Sequence, residues 1–229
     1  MENILSIKNI SKTYDLGQSK IKALDDVFLD IKEQDFIATV GPSGSGKTTL
    51  LNMVGGLDKP DKGEILVAGR NISTLNKKEI SNYRRDNVGF VFQAYNLIPV
   101  LTVYENVEYV LVLQKIASQE RKKKVEEILE KLNMGGMKSR NTYELSGGQQ
   151  QRVAIARALV SKPKIVLADE PTANLDSKTG EEIINLMKKI NQEECTTFLF
   201  STHDPLIMKY AKRILTLKDG CIISDDKNS

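Results

Sequence analysis

The chain of 229 residues contains no tryptophan, one histidine and two cysteines. Cys195 and Cys221 do not have the spacing of metal ligands, so we expect free thiols in a reducing compartment. No apolar run reaches the about 18 residues that a membrane-spanning helix requires. A basic segment followed by an apolar one is also missing at the start, so no signal peptide is expected. Any membrane role would therefore depend on a partner.

An excess of charge of one sign is missing as well. The 33 lysines and arginines and the 30 acidic residues leave a formal net charge of +3. This balance provides no strong field for nucleic acid or an anionic membrane. A basic run, 121–124, lies opposite an apolar helical face. We interpret it as a solvated helix face, and we expect no nucleic-acid partner.

The chain does contain enough apolar sequence for a core, with 40% hydrophobic and 28% charged residues. Short apolar segments alternate with helical patterns, which indicates an α/β fold with a parallel or mixed sheet. Strands are predicted at 4–10, 27–31, 36–40, 64–67, 88–92, 165–168, 197–200 and 214–217. Helices are predicted at 47–54, 104–113, 121–132 and 149–160, so that 94–160 form a helical insert. Asp219-Gly220 predicts a hairpin turn, and the polar residues 224–229 predict a frayed tail.

A glycine-rich loop at 41–48 matches the phosphate-binding pattern of glycine, four residues and Gly-Lys-Thr. Its glycines let backbone N–H groups turn toward phosphate oxygens, and the following helix adds its dipole. Lys47 suits the β- and γ-phosphates, and the Thr48 hydroxyl suits Mg²⁺. The loop predicts binding of ATP with Mg²⁺ by Gly41, Ser43, Gly44, Ser45, Gly46, Lys47, Thr48 and Thr49.

Two carboxylates, Asp169 and Glu170, follow the apolar strand predicted at 165–168. Asp169 suits a second contact to Mg²⁺ through water, and Glu170 suits polarisation of an attacking water. The alternative is a capped strand-to-helix turn, where both residue types are common. The glycine-rich loop upstream favours the catalytic interpretation.

The sole histidine, His203, lies three residues beyond the strand predicted at 197–200. A lone histidine is more often structural. However, the glycine-rich loop, Asp169-Glu170 and His203 each follow an apolar strand, and ligands of open α/β sheets lie at the carboxyl ends of strands. We therefore expect these groups at one edge of the sheet, where His203 would contact a γ-phosphate or orient Glu170.

Two uncharged residues are weaker candidates. Gln93 follows the strand predicted at 88–92, and its amide would contact Mg²⁺ or the attacking water. An ordinary polar residue at a strand end is the alternative. The Tyr14 ring would stack on adenine, although packing on its own sheet is equally compatible with the local sequence.

A second anion site is predicted at residues 145–149, Leu-Ser-Gly-Gly-Gln. Ser146 is typical of a helix N-cap, Gly147 and Gly148 permit close approach, and Gln149 continues the helix. The free N–H groups there suit an anion, yet the first loop already holds the nucleotide of this chain. A head-to-tail pair of chains would let each segment close on the ATP of the other. A tight helix start without function is the alternative.

In order and spacing, these motifs resemble those of ATP-binding cassette (ABC) transporter nucleotide-binding subunits over nearly the whole chain. The resemblance implies an α/β P-loop NTPase fold: a RecA-like core with an N-terminal antiparallel β subdomain, plus an inserted α-helical subdomain. It implies one ABC ATPase domain over 1–229, with the catalytic core at 1–92 and 161–229 and the helical subdomain at about 93–160. It matches Tyr14 to adenine stacking, Gln93 to the Q-loop, Glu170 to the catalytic glutamate and Asp176 to the dimer interface.

Residues 53–60, 92–99 and 167–176 are similar to the branch of macrolide exporters, lipoprotein-release and antimicrobial-peptide-resistance proteins. This implies a homodimer around two Mg-ATP that drives export by a separate transmembrane permease, with an extracytoplasmic adaptor in many members. The subunit would be cytoplasmic, on the inner face of the membrane through its permease. Residues 87–104 carry no charge, which suits docking of the permease near Gln93 to Pro99. Ordinary core packing is the alternative for the apolar residues.

Two other functions remain open. One is a cell-division type of ATPase that regulates a membrane partner without transport. The other is a soluble ABC ATPase of translation or DNA repair, although the paired cassettes, coiled coils or zinc modules usual in that class are missing from the sequence.

Overall fold

The computed structural model describes residues 3–15, 17 and 19–228. Within them, the strands are β1 (Asn3–Asp15), β2 (Lys20–Lys32), β3 (Phe36–Val40), β4 (Lys62–Val67), β5 (Arg70–Asn71), β6 (Val88–Val91), β7 (Ile165–Asp169), β8 (Thr197–Ser201), β9 (Arg213–Lys218) and β10 (Cys221–Lys227). The α-helices are α1 (Lys47–Val54), α2 (Lys77–Asn87), α3 (Val103–Leu113), α4 (Ser118–Lys131), α5 (Gly147–Leu159), α6 (Ser177–Glu194) and α7 (Pro205–Tyr210).

The strands form two sheets. A four-stranded antiparallel sheet has the order β2-β1-β4-β5, and a six-stranded sheet has the order β10-β9-β3-β8-β7-β6. In the larger sheet, β9, β3, β8, β7 and β6 are parallel and β10 is antiparallel. All residues of β3 and β8 are buried, which explains their continuous apolar sequences, because parallel strands are covered on both faces.

Two hydrophobic clusters cover the larger sheet. Alternate side chains of a strand point to opposite faces. Phe36, Phe198 and Phe200 therefore face a cluster shared with α3, α4, α5 and α6. Ile37 and Leu199 face a cluster shared with α1 and the antiparallel sheet. The P-loop NTPase architecture expected from the motifs is thus present, with helices α3 to α5 inserted between β6 and β7. No helix of the described chain combines the length and the apolar character needed to cross a membrane.

The predicted hairpin is confirmed, because Asp219 and Gly220 alone separate β9 from β10 and both have positive φ, 49° and 80°. The frayed tail predicted at 224–229 is wrong as far as Lys227, because β10 pairs with β9 along its length. Arg213 also binds Asp225 through two contacts of 2.6 Å, Nε–Oδ1 and Nη2–Oδ2. Backbone pairing with β9 and the two contacts between Arg213 and Asp225 therefore keep β10 ordered, although its sequence is polar and it lies at the edge of the sheet.

Candidate functional site

The glycine-rich loop connects β3 to α1, and its backbone requires glycine at two positions. Gly41 has a φ of 147° and Gly46 a φ of 104°. A Cβ atom would lie 2.1 Å from the Leu217 carbonyl oxygen at Gly41, and 2.4 Å from that of Ala23 at Gly46. Both positions therefore exclude a side chain by contact as well as by backbone conformation. Gly46 precedes the first turn of α1 without a side-chain cap, which leaves the N–H groups of that turn available to an anion.

Side chains of the loop have polar groups suited to phosphate. Lys47 Nζ donates to the carbonyl oxygens of Gly41, at 2.7 Å, and Pro42, at 3.0 Å. The ammonium group thus lies over the loop and can exchange carbonyl oxygens for stronger phosphate acceptors. Buried Ser45 Oγ has no hydrogen-bond partner among the described residues.

A cleft of about 240 Å³ borders the loop and is lined by Tyr14, Ile21, Ala23 and Gly44, Ser45, Gly46, Lys47, Thr48 and Thr49. Tyr14 comes from the end of β1 and is half-buried. The structure therefore brings the aromatic ring to the same cleft as six of the predicted phosphate-binding residues, whereas Gly41 and Ser43 are not among the residues that line it.

Thr48 and Asp169 meet at the carboxyl ends of β3 and β7. Thr48 Oγ1 lies 3.4 Å from Asp169 Oδ1 and 3.3 Å from Oδ2. Two oxygens in neighbouring positions of an octahedral Mg²⁺ shell are about 2.9 Å apart, given bonds of about 2.0–2.1 Å. A hydroxyl and a carboxylate at this separation fit Mg²⁺, either directly after a small closure or through water.

Glu170 and His203 form a close polar contact, with 2.6 Å between His203 Nδ1 and Glu170 Oε1. The other carboxylate oxygen, Oε2, accepts from Thr202 Oγ1 at 3.1 Å. The Glu170 side chain is 16% exposed and that of His203 is 76% exposed. Because β7 and β8 are neighbours in the sheet, the two residues lie side by side. The Glu170 carboxylate is bound by the Thr202 hydroxyl within the protein, and the His203 imidazole contacts it from the solvent side.

Gln93 is exposed after β6. Its backbone carbonyl oxygen accepts from Asn174 Nδ2 at 2.9 Å. Asp176 begins α6 as its N-cap and accepts from Thr179 N at 3.0 Å. The Thr179 hydroxyl and N–H lower the pKa of Asp176, whose side chain is exposed. Gln93 and the segment 174–176 are therefore adjacent, although they lie far apart in sequence.

Ser146 is the N-cap of α5 within a reciprocal capping box. Its Oγ accepts from Gln149 N at 3.4 Å, and Gln149 Oε1 accepts from Ser146 N at 3.0 Å. A Cβ atom at Gly147 would lie 2.9 Å from the Tyr95 hydroxyl oxygen, and one at Gly148 would lie 2.5 Å from Thr179 Cγ2. These four residues are not among those lining the cleft of the glycine-rich loop. The predicted second anion site therefore lies outside that cleft.

Sequence reasoning missed two residues that hold the segment between these sites. Arg157 of α5 donates to the carbonyl oxygens of Tyr95, at 2.9 Å, and Asn96, at 2.5 Å. Buried Asn106 of α3 accepts from Ile98 N at 2.8 Å and donates to three carbonyl oxygens. The polar Asn106 within the apolar stripe of α3 could have indicated a buried hydrogen-bonding role from the sequence. Nothing in the local sequence indicates the partners of Arg157.

Comparisons with known proteins agree with this site. The ABC transporter family profile matches residues 24–173. The ABC transporter ATP-binding protein MJ0796 of Methanocaldococcus jannaschii is 47% identical over 231 residues, covering 98% of this chain and 97% of that protein. The macrolide export ATP-binding/permease protein MacB of Photorhabdus laumondii is 44% identical over 228 residues, covering 98% of this chain and 35% of that protein.

A solved structure extends the likeness to three dimensions. The dimeric, post-hydrolysis structure of MJ0796 bound to ADP and Pi has a TM-score of 0.90 and 46% identity, covering 97% of this chain and 98% of that one. Family profile, relatives and fold therefore agree with the motifs. The chain belongs to the ABC transporter family, as one of its ATP-binding subunits with the fold of an ABC-type ATPase.

Proposed function

We propose that two copies of this chain close head to tail around two Mg-ATP and that ATP hydrolysis drives a separate membrane permease. The observation that carries this proposal is the separation of two anion sites within one chain. The cleft beside Lys47 and Thr48 includes no residue of the Ser146 to Gln149 segment. Ser146 is nevertheless exposed at the start of α5, where it can close on the γ-phosphate of a second chain. The dimeric structures of MJ0796 support this arrangement.

The residues have distinct proposed roles. Tyr14 stacks on adenine, while the N–H groups of residues 41–49 and Lys47 bind the phosphates. Thr48, Gln93 and, through water, Asp169 hold Mg²⁺, which when bound would neutralise phosphate charge. The single domain 1–229 thus places its catalytic core, 1–92 and 161–229, beside a helical subdomain at about 93–160.

Glu170 is the proposed base for hydrolysis. It accepts a proton from the water that attacks the γ-phosphorus, while the bond between the β–γ bridging oxygen and that phosphorus breaks to release ADP. His203 Nδ1, 2.6 Å from Glu170 Oε1, orients the carboxylate or contacts the γ-phosphate with its exposed side. The Ser146 hydroxyl and the N–H groups of Gly147 and Gly148 complete the charge stabilisation from the second chain.

The proposed permease docks near Gln93 to Pro99, which places the subunit on the cytoplasmic face of the membrane. Val100, just beyond this segment, is 84% exposed, and the segment itself is held by Arg157 and Asn106. The centres of protein interfaces contain few charged residues, so this held, uncharged segment suits a partner helix. The MacB relatives are export ATP-binding/permease proteins of which this chain matches about a third. We therefore propose export of a drug, peptide or lipoprotein, with an extracytoplasmic adaptor.

The replacement Glu170→Gln tests the catalytic part of the proposal. The amide keeps the size of the side chain but cannot take a proton, so steady-state ATP hydrolysis should fall to background. ATP should now trap a dimer, which size-exclusion chromatography with light scattering would detect. Glu193→Gln is the matched control, because Glu193 is an exposed residue of α6 that pairs only loosely with Lys189, at 3.8 Å. Hydrolysis at the unaltered rate by the Glu170 variant would remove Glu170 from the mechanism.

Purification of the tagged chain from membranes tests the coupling. A permease should co-purify in detergent and should stimulate hydrolysis when both are placed in vesicles. Recovery of the chain only from the soluble fraction, without a membrane partner, would overturn the transport proposal and leave the ATPase assignment intact.

A further inference from the structure

Asp58 lies in the turn that follows α1, and its carboxylate accepts three hydrogen bonds. Its Oδ2 accepts from the Tyr14 hydroxyl at 2.8 Å. Its Oδ1 accepts from Lys12 Nζ at 2.9 Å and from Lys59 N at 2.7 Å. The carboxylate thus connects Lys12 and Tyr14, near the end of β1, to the turn that follows α1.

Electrostatics favour the ionised form of this carboxylate. Burial alone would raise the pKa of Asp58, but the hydrogen bonds from Lys12, Tyr14 and Lys59 N, together with the Lys12 charge, outweigh burial, and the pKa is lowered. Burial would lower the pKa of Lys12, but the hydrogen bond and charge of Asp58, with smaller contributions from Asp61 and Tyr14, outweigh burial, and the Lys12 pKa is raised. Lys12 Nζ also lies 5.3 Å from the centre of the Tyr14 ring. The pair is therefore charged near neutral pH, with the Asp58 carboxylate at the Tyr14 hydroxyl and the Lys12 ammonium over the ring.

The Tyr14 hydroxyl bond connects the ring to the turn after α1. The ring lines the same cleft as Lys47, Thr48 and Thr49 in the first turn of α1. The turn carrying Asp58 is bonded back to the same helix, because Leu57 N and Asp58 N donate to Asn52 O at 2.8 and 3.3 Å. One helix therefore carries the phosphate site in its first turn, and Asp58, beyond its last turn, binds the hydroxyl of the ring that lines the same cleft.

We propose that Asp58 is a positioning residue for the nucleotide base: it fixes the Tyr14 ring at a set distance from the glycine-rich loop. This inference rests on the proposed stacking role of Tyr14. Asp58 does not contact the nucleotide, and its effect is confined to the part of the affinity that comes from the base. Preorganisation of the ring removes an ordering cost from binding.

We compare the binding of ATP with that of tripolyphosphate, both with Mg²⁺. Because tripolyphosphate has no base, a loss of ring positioning should weaken only ATP binding, whereas damage to the phosphate site should weaken both. Asp58→Ala should weaken ATP binding by about three- to tenfold, the range of one net hydrogen bond, and leave tripolyphosphate binding unchanged. Tyr14→Phe removes the same bond from its other end and should behave alike. Adding Asp58→Ala to Tyr14→Phe should cause no further loss. Asp58→Asn retains an acceptor for the phenol and should recover part of the affinity.

Asp61→Ala is the matched control. Asp61 lies three residues further along, accepts from Thr13 N at 2.7 Å and lies 3.8 Å from Lys12 Nζ, but does not bond Tyr14. It should leave ATP binding unchanged. Equal weakening of ATP and tripolyphosphate by Asp58→Ala would overturn the proposal, as would unaltered ATP binding by both Asp58→Ala and Tyr14→Phe. If Tyr14→Ala also left ATP binding unchanged, the stacking role of Tyr14 would itself be lost. A loss in Tyr14→Ala alone would reject only the positioning by Asp58.

Discussion

At the scale of single residues, strained backbone lies at the proposed reaction centre. Glu170 has a φ of 45°, in the left-handed region that few side chains adopt. Its N–H donates to Ser201 O at 2.9 Å, and its carboxylate is bonded by Thr202 and His203. Because the strand β7 has ended at Asp169, this turn directs two successive carboxylates to different partners. Asp169 faces Thr48, and Glu170 faces β8.

His203 provides the prediction at this scale. His203→Ala removes the ring that contacts Glu170 at 2.6 Å and should lower ATP turnover by about 10²-fold, the effect of losing one donor in a preorganised site. Nucleotide binding should change little, because the phosphate-binding loop is intact. His203→Gln, which retains a donor, should keep more of the activity. A coupled phosphate-release assay measures turnover, and equal rates for wild type and His203→Ala would contradict the assignment.

At the scale of elements, α5 connects two parts of the site. Its first turn carries Ser146 and the two glycines, and Arg157 near its other end binds the backbone of Tyr95 and Asn96. Burial lowers the pKa of this guanidinium, so its carbonyl partners compensate for lost hydration. Tyr95 and Asn96 both have positive φ, 59° and 49°. The helix therefore holds a strained segment directly after Gln93.

Arg157→Met tests this connection. The carbonyl oxygens of Tyr95 and Asn96 would lose their donor, at a cost of about 1–3 kcal/mol. Amide hydrogen exchange in 95–102 should become faster by about tenfold or more. Arg152→Met is the matched control on the same helix, because Arg152 binds Glu182, at 3.0 Å, and Leu132 O, at 3.4 Å, instead. Equal exchange of 95–102 in wild type and Arg157→Met would show that α5 does not hold this segment.

At the scale of the whole molecule, the proposed unit of function is a pair of chains. Ser146→Arg should preserve ATP binding by the monomer, because Ser146 is not part of the cleft beside Lys47. It should abolish hydrolysis at the site that this segment enters, because the Ser146 hydroxyl that completes the site of the second chain is lost. Loss of monomer binding, measured by calorimetry, would contradict the arrangement in trans.

Mixing inactive chains gives a direct test of sharing. In a heterodimer of Ser146→Arg with Lys47→Ala, one site combines an intact glycine-rich loop with an intact Ser146 segment. The mixture should therefore hydrolyse ATP faster than either variant alone. Ser146→Arg mixed with the double variant Lys47→Ala/Ser146→Arg is the control, because no pairing then restores a site. Equal rates for both mixtures would mean that each site is complete within one chain.

Prediction from sequence succeeded where local rules suffice. The predicted strand 36–40 and helix 47–54 match β3 and α1 to the residue, because a buried apolar run and a Gly-Lys-Thr turn have few alternatives. Helices α2, α6 and α7 were not assigned, although Asn76, Asp176 and Asp204 are N-caps. The strand predicted at 4–10 is 13 residues long as β1, since its polar half is extended by pairing with β2.

The family motifs, the order of those strands and helices that were predicted, and the side chains that follow strand ends could all be read from the sequence alone. These depend on neighbours along the chain, where propensity, periodicity and turn chemistry act. In contrast, the pairing of β10, the bond from Arg157 to Tyr95 O and the bond from Tyr14 to Asp58 become visible only in the folded chain. The last two contacts join residues 62 and 44 positions apart, and the partner of a polar side chain is determined by how packed elements bring backbone and charge together.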